Sequence, residues 1–220
     1  YHKVALQHPV KRDRDSWNIS QLLIQDEPVE EKILKQALNI LIKRHDSLRL
    51  RFKQSESGDW RSEIIRYEED LVPVHYHDVT QLSEEQISEV LKDTEQLRFK
   101  SSISDGPTFQ IAWLDGGQYQ ETGLVMMVHH YCADMLALDI LQKELSIIYT
   151  SLENEQPILL PPAVSYFHYI HQLVDYADSE QIMTSYEYWR GLSRAKNTEL
   201  ILDHNRDSQD GWYSDLSTHF

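Results

Sequence analysis

Residues 124–134 read LVMMVHHYCAD and decide how this chain folds. The first five, Leu124 to Val128, are apolar on both faces of an extended chain, which is typical of a strand in the middle of a sheet. His129 and His130 follow at the end of that strand. Helical spacing of apolar residues then resumes from Leu136 to Tyr149. The stretch therefore predicts a central strand, a short loop that carries two imidazoles, and a long helix.

The same periodicities predict the remaining elements. Further strands are expected at 17–25, 48–53, 60–67 and 109–114, and further helices at 29–44, from 78–83 towards Phe99, at 167–177 and at 182–192. A turn at 57–59 joins two of the strands as a hairpin, and a proline-containing linker occupies 154–163. Helices and strands that alternate irregularly with a hairpin predict an α/β fold, an α+β layer sandwich with a mixed sheet flanked by helices.

Composition narrows the classes of function. The formal net charge is -15, from 36 acidic and 21 basic side chains, and such a balance argues against nucleic acid or an anionic membrane as partner. No apolar run is long enough to span a bilayer, and the single cysteine excludes an internal disulfide. With 7 glycines and no glycine-rich phosphate loop, nucleotide-binding enzymes are also disfavoured. We expect a soluble protein in a reducing, cytoplasmic setting.

The histidine pair suggests acid–base chemistry. Imidazole titrates near neutrality, so a histidine at a strand end can take a proton from a nucleophile or orient it against a thioester. The residues alone equally allow one buried and one surface histidine without a catalytic role. Metal binding is a third reading, with His75 and His77 on one strand face, but the chain lacks a ligand set with matched spacing, so we predict no metal.

Two neighbours of the pair have ordinary structural explanations as well. Asp134 opens the helix and can cap its first turn, or it can turn inward and pair with an arginine of the segment 44–49. Cys132 has no electropositive neighbour in the sequence, so we predict that it packs in the core and is not a nucleophile.

Residues 128–135 resemble the HHxxxDG motif of the condensation-domain superfamily of nonribosomal peptide synthetases. Residues 44–52, RHDSLRLRF, are similar to that family's RHExLRxxF segment. Residues 16–20 resemble its HWNQS strand, and 105–109 and 186–189 agree with further segments in the same order. The five segments extend over nearly the whole chain, which makes the resemblance specific.

The resemblance implies a domain of two chloramphenicol-acetyltransferase-like lobes, of which residues 1–220 form the N-terminal one. Because the chain begins at Tyr1 and not at Met, and stops at Phe220 without a polar tail, we expect a piece of a longer protein that lacks its second lobe. The implied partners are carrier proteins, which bring substrates on their own phosphopantetheine, the second lobe, and neighbouring synthetase domains. No cofactor of the domain itself is implied.

The resemblance also implies roles for single residues. His130 is the catalytic residue of acyl transfer with amide formation, and His129 supports its loop. Asp134 forms a structural ion pair with Arg44. Met135 stands where the family has glycine, and with Tyr131 it is expected to shape the pocket.

Two other functions remain open in the sequence. Residues 17–18, 106–107 and 172–177 resemble epimerization domains at least as well as condensation domains. Met135 is also compatible with a noncatalytic domain that only docks carrier proteins. In each case we expect the isolated chain to be inactive, because half of the substrate tunnel would be missing.

Overall fold

The computed structural model describes residues 14–117 and 121–194. Four strands form its main sheet, in the order β1-β6-β5-β4. They are β1 (Asn18–Gln25), β4 (Val74–Asp78), β5 (Phe109–Asp115) and β6 (Thr122–His129). β1, β6 and β5 pair antiparallel, whereas β4 pairs parallel with β5. The predicted mixed sheet is therefore confirmed, with β6 in its interior.

The predicted hairpin forms a separate sheet of its own. It joins β2 (Leu50–Gln54) to β3 (Trp60–Ile64), with Gly58 in the left-handed region at a φ of 86°. A short helical turn at Asp46–Arg49 precedes β2, so this strand begins two residues later than predicted.

The described residues also form helices. They are α1 (Glu31–Arg44), α2 (Glu84–Glu95), α3 (Met135–Glu153), α4 (Tyr166–Ala177) and α5 (Glu180–Arg194). The start of α2 is fixed by a capping box, in which Ser83 and Gln86 satisfy each other's backbone N–H groups. The start of α3 is fixed by Asp134. All five lie where helical spacing predicts them, with shifted ends.

The sheet buries both faces. One face packs with α1 and α3 into the main core, whose sheet residues include Ile111, Met126 and Val128. The opposite face, through Val125 and Met127, packs with the apolar side of α2. This arrangement explains why β6 is apolar at successive positions, since its alternate side chains enter two different cores.

The chain divides into two compact units, residues 1–170 and 171–220. The proline-containing segment 154–163 has no helix or strand. It lies within the first unit, because Ile158 and Leu160 pack against the main core. Among the described residues, no helix is long and apolar enough to cross a membrane.

Candidate active site

The two histidines lie where β6 ends and its loop begins. In the β1–β6 ladder Asn18 faces His129, and the next pair continues the ladder because the N–H of His130 donates to the carbonyl of Trp17 at 2.8 Å. On the other side of β6, the N–H of His129 donates to the carbonyl of Thr108 at 2.8 Å. Both histidine backbones are thus held by neighbouring strands before the chain turns into α3.

His129 is fully buried and both of its ring nitrogens have partners. The N–H of Tyr131 donates to Nδ1 at 3.1 Å, so Nδ1 carries the lone pair. Nε2 then carries the hydrogen and donates to the carbonyl of Arg14 at 2.8 Å. This ring ties the loop to the segment before β1, which is the kind of contact that a residue supporting the loop makes.

His130 has a different environment. It is half-buried, and its Nδ1 lies 3.1 Å from the carbonyl oxygen of Ala133. A carbonyl oxygen can only accept, so Nδ1 is the protonated nitrogen and the neutral ring keeps its lone pair on Nε2. Within the described residues no hydrogen bond engages Nε2. The loop therefore presents this histidine in the tautomer that a general base requires.

A chain of aromatic rings leads from His130 into the core. The Trp17 ring lies 4.7 Å from the His130 ring, centroid to centroid, at an interplanar angle of 47°. Tyr131 contacts Trp17 edge-on at 5.5 Å and Phe52 at 5.4 Å. Tyr131 is only 5% exposed. It packs against Trp17 from the side of the core and does not line the open surface, whereas the predicted pocket-shaping role would require a side chain at that surface.

The predicted ion pair between Asp134 and Arg44 is wrong. Asp134 is exposed, and its Oδ1 accepts a hydrogen bond from the N–H of Ala137 at 2.8 Å. Its carboxylate caps the first turn of α3, where the helix dipole also favours a negative charge. Of the two readings of this residue, the N-cap is the correct one.

Arg44 pairs instead with Glu144, a residue of α3 that is not among the site residues predicted from the sequence. The guanidinium binds in a bidentate manner, with Nε 2.7 Å from Oε2 and Nη2 3.1 Å from Oε1. His45 adds a contact from Nε2 to Oε2 at 2.6 Å, and Arg44 also donates to the carbonyl of Pro161. The cluster joins the end of α1 to the middle of α3.

The partners of Glu144 also determine its ionisation. Its side chain is only 10% exposed, and burial by itself raises the pKa of a carboxyl group. The hydrogen bonds from Arg44 and His45, with their charges, outweigh burial and hold the pKa of Glu144 below its ordinary value of 4.5. A sequence signal was present, because Glu144 interrupts the core-facing positions Leu141, Leu145 and Ile148 of an amphipathic helix.

Cys132 belongs to the loop, and its side chain is buried, as predicted. Burial raises the pKa of its thiol to about 12, and neither the hydrogen bond with Thr108 nor the charge of Arg51 offsets this effect. A thiol with so little thiolate is a poor nucleophile. The prediction that Cys132 packs in the core is confirmed.

Met135 is the first residue of α3, and its side chain is 54% exposed. Its φ is not positive, since the described non-glycine residues with positive φ are Asp70 and Glu155. The backbone therefore does not need glycine here, and methionine occupies the position without backbone strain. On the same helix Leu136, Ile140 and Ile147 are exposed at 74%, 51% and 44%.

His75 and His77 lie on β4, and β5 separates that strand from β6. They therefore do not meet the histidines of the loop. Among the described residues, no group of three or more His, Cys, Asp or Glu side chains could hold a metal ion.

The sequence of residues 6–219 matches the Condensation domain family. The chain belongs to that family. Its relatives include very long peptide synthetases: a linear gramicidin synthase of Brevibacillus parabrevis is 31% identical over 184 residues, 83% of this chain and 2% of that protein. Tyrocidine synthase 2 of the same organism is 25% identical over 193 residues, 86% of this chain and 5% of that protein.

Solved structures show the same fold. The epimerization domain from the third module of tyrocidine synthetase B superposes with a TM-score of 0.77 at 24% identity, covering 86% of this chain and 42% of that one. A starter condensation domain of rhizomide synthetase, in complex with C8-CoA, gives 0.74 at 19% identity and covers 87% and 44%. The chain thus spans less than half the length of these domains and a few per cent of the synthetases.

Proposed function

We propose that this chain is the N-terminal lobe of a two-lobed condensation domain, which joins two carrier-bound acyl groups by forming an amide. The observation that carries the proposal is His130, whose Nδ1–H is bound by Ala133 and whose Nε2 keeps its lone pair. In this tautomer the ring can accept a proton from an attacking amine.

The reaction balances without a metal or redox group. The amine of one carrier-bound substrate attacks the thioester carbonyl carbon of the other, so a C–N bond forms and the C–S bond breaks. His130 takes the proton from the amine at Nε2 and returns it to the sulfur that leaves on phosphopantetheine. His129 holds the loop in place through its contacts to Arg14 and Tyr131.

The second lobe is part of the proposal. The exposed residues Leu136, Ile140 and Ile147 lie on one face of α3, which starts directly after the loop. An apolar face beside a site is typical of a surface that another element covers. The covering element would be the missing half of the domain, with carrier proteins and neighbouring synthetase domains as partners and the cytoplasm as location.

The decisive experiment uses the complete two-lobed protein with loaded donor and acceptor carriers. We expect His130→Ala to lower the rate of amide formation about 100-fold or more, which is the usual contribution of general-base catalysis. His77→Ala is the matched control, because it removes an imidazole from the far edge of the sheet. Full turnover by the His130 variant would overturn the catalytic assignment.

The products of the same experiment separate the other two functions. Exchange of the Cα hydrogen of a bound aminoacyl group without amide formation would show epimerization instead of condensation. Carrier binding without either product would show a docking domain. Met135→Gly would then be the first substitution to test for restored activity, because the family has glycine at this position.

A further inference from the structure

Trp17 is the side chain in direct contact with the ring of His130, and it lies just before β1. The β1–β6 ladder ends at the pair Asn18–His129, and the same register continued by one residue places Trp17 opposite His130. Their backbones are joined by the hydrogen bond from His130 N–H to Trp17 O at 2.8 Å. Cross-strand neighbours of this kind touch through their side chains, and here the rings lie 4.7 Å apart.

The imidazole is therefore held at two places. Ala133 accepts the hydrogen of Nδ1 at one edge of the ring, and the indole of Trp17 covers the ring from the side of β1. Rotation of the ring about χ2 by a half turn would place Cδ2 where Nδ1 lies and Cε1 where Nε2 lies, so Nδ1 would lose its hydrogen bond to the carbonyl of Ala133. A large flat neighbour restricts that rotation, because the imidazole must move past it.

Trp17 is itself held from behind. Its ring contacts Tyr131 edge-on, and Tyr131 packs against Phe52 of β2 in the core. The other side of the indole faces outwards, since 41% of Trp17 is exposed. A bulky aromatic residue that is braced by the core yet half open at a strand end fits a role in the site better than a role in the core.

We propose that Trp17 is a positioning residue for His130, one that keeps the imidazole in the Nδ1–H tautomer with Nε2 directed away from the loop. The proposal rests on the proposed function of His130. It predicts that Trp17 affects the rate of the chemical step and hardly affects the binding of substrates.

The first test is kinetic and uses the complete two-lobed protein. Trp17→Ala and Trp17→Leu should lower kcat about 10- to 100-fold, the usual cost of misplacing a reacting group, with KM changed less than about twofold. Trp17→Phe retains a flat ring and should recover most of the rate. Tyr76→Ala is the matched control, because Tyr76 is also an exposed aromatic with a ring neighbour, Trp113 at 4.9 Å, on the far edge strand.

The second test needs no carriers and no turnover. In ¹⁵N spectra of the 220-residue chain above the titration of its histidines, His130 should show a protonated Nδ1 and an unprotonated Nε2. Trp17→Ala and Trp17→Leu should replace this pattern by an average of the two tautomers, whereas Trp17→Phe and Tyr76→Ala should preserve it.

A rise in KM with kcat and the tautomer unchanged would make Trp17 a substrate-binding residue and overturn the proposal. So would an unchanged spectrum in the two variants that lack the ring. If the complete wild-type protein forms no amide but the spectra change as expected, the proposed function fails while the positioning of His130 by Trp17 stands.

Discussion

At the scale of single residues, Glu144 is the carboxylate of α3 that binds the end of α1. It receives three short contacts from Arg44 and His45, whereas Asp134 only caps the helix. The arginine that the family resemblance assigns to Asp134 is therefore engaged about three turns further along α3. This difference separates two substitutions that look alike in the sequence.

We expect Glu144→Gln to lower the free energy of unfolding at pH 7 by about 3 kcal/mol, because it leaves a mostly buried guanidinium without its counter-charge. Asp134→Asn should cost less than about 0.5 kcal/mol, since asparagine caps helices as well as aspartate does. Urea unfolding of both variants measures the difference. A greater loss for Asp134→Asn would restore the Asp134–Arg44 pair.

The difference in unfolding free energy between the wild type and Glu144→Gln should depend on pH. The pKa of Glu144 is lower in the folded chain than its ordinary value of 4.5, so its stabilising contribution is complete above that value and is lost as the pH falls through the folded pKa. The stability gap between the wild type and Glu144→Gln should accordingly narrow below about pH 4.5. A gap that stays constant there would mean that the carboxylate is not the source of the stability.

The sequence predicts the local part of this site and misses the distant part. A histidine pair at the end of an apolar strand is recognisable because strand, loop and helix are contiguous. The partner of Arg44 is 100 residues away in the chain, and it depends on how α1 packs against α3. The motif resemblance assigns Asp134 to Arg44, but the carboxylate of Asp134 instead accepts the N–H of Ala137 as the helix cap.

At the scale of elements, the segment before β5 is fitted closely over β2. Gly106 has a φ of 86°, and an added Cβ would lie 2.4 Å from Nη2 of Arg51. Arg51 is 5% exposed and donates to the carbonyl of Leu50 and to the hydroxyl of Thr108. The carbonyl of Thr108 in turn accepts the backbone N–H of His129, so this contact leads to the loop.

Gly106→Ala should therefore cost about 2–4 kcal/mol, from the left-handed backbone together with the clash. Gly58→Ala is the matched control: its φ is also 86°, but the nearest atom to the added Cβ is 3.9 Å away. It should lose only the backbone part, about 1–2 kcal/mol. Equal losses in urea unfolding would show that the Arg51 contact has no energetic weight.

Element types followed from the periodicity of the sequence, whereas pairing did not. The apolar stretch 124–128 indicates an inner strand, and β6 is one. The parallel pairing of β4 with β5 could not be read, because β4 is short, lies at the sheet edge and carries polar residues such as His75 and His77. Edge strands with little apolar alternation leave only a weak pattern.

At the scale of the whole molecule, the exposed face of α3 should matter only when the rest of the domain is present. We expect Leu136→Asp with Ile140→Asp to leave the circular dichroism of the 220-residue chain unchanged, because both side chains are more than half exposed. In the complete two-lobed protein the same pair should lower the thermal midpoint and the rate of amide formation.

Leu159→Asp provides the control, since Leu159 is 81% exposed and lies outside the helices and strands. If the α3 variant and this control behave alike in the complete protein, the second lobe does not cover α3. The family and its fold followed from five short motifs, whereas none of those motifs marks the surface that the proposed second lobe would cover.

The hydrogen bond between His130 and Ala133 has one more consequence. Proton uptake at Nε2 leaves the hydrogen on Nδ1 in place, so the same donor and acceptor remain paired in the neutral and the charged ring. The carbonyl dipole already points at the ring where positive charge would appear, and the loop does not have to reorganise to stabilise it. In the proposed reaction, the loop would therefore keep the same geometry before and after the proton transfer.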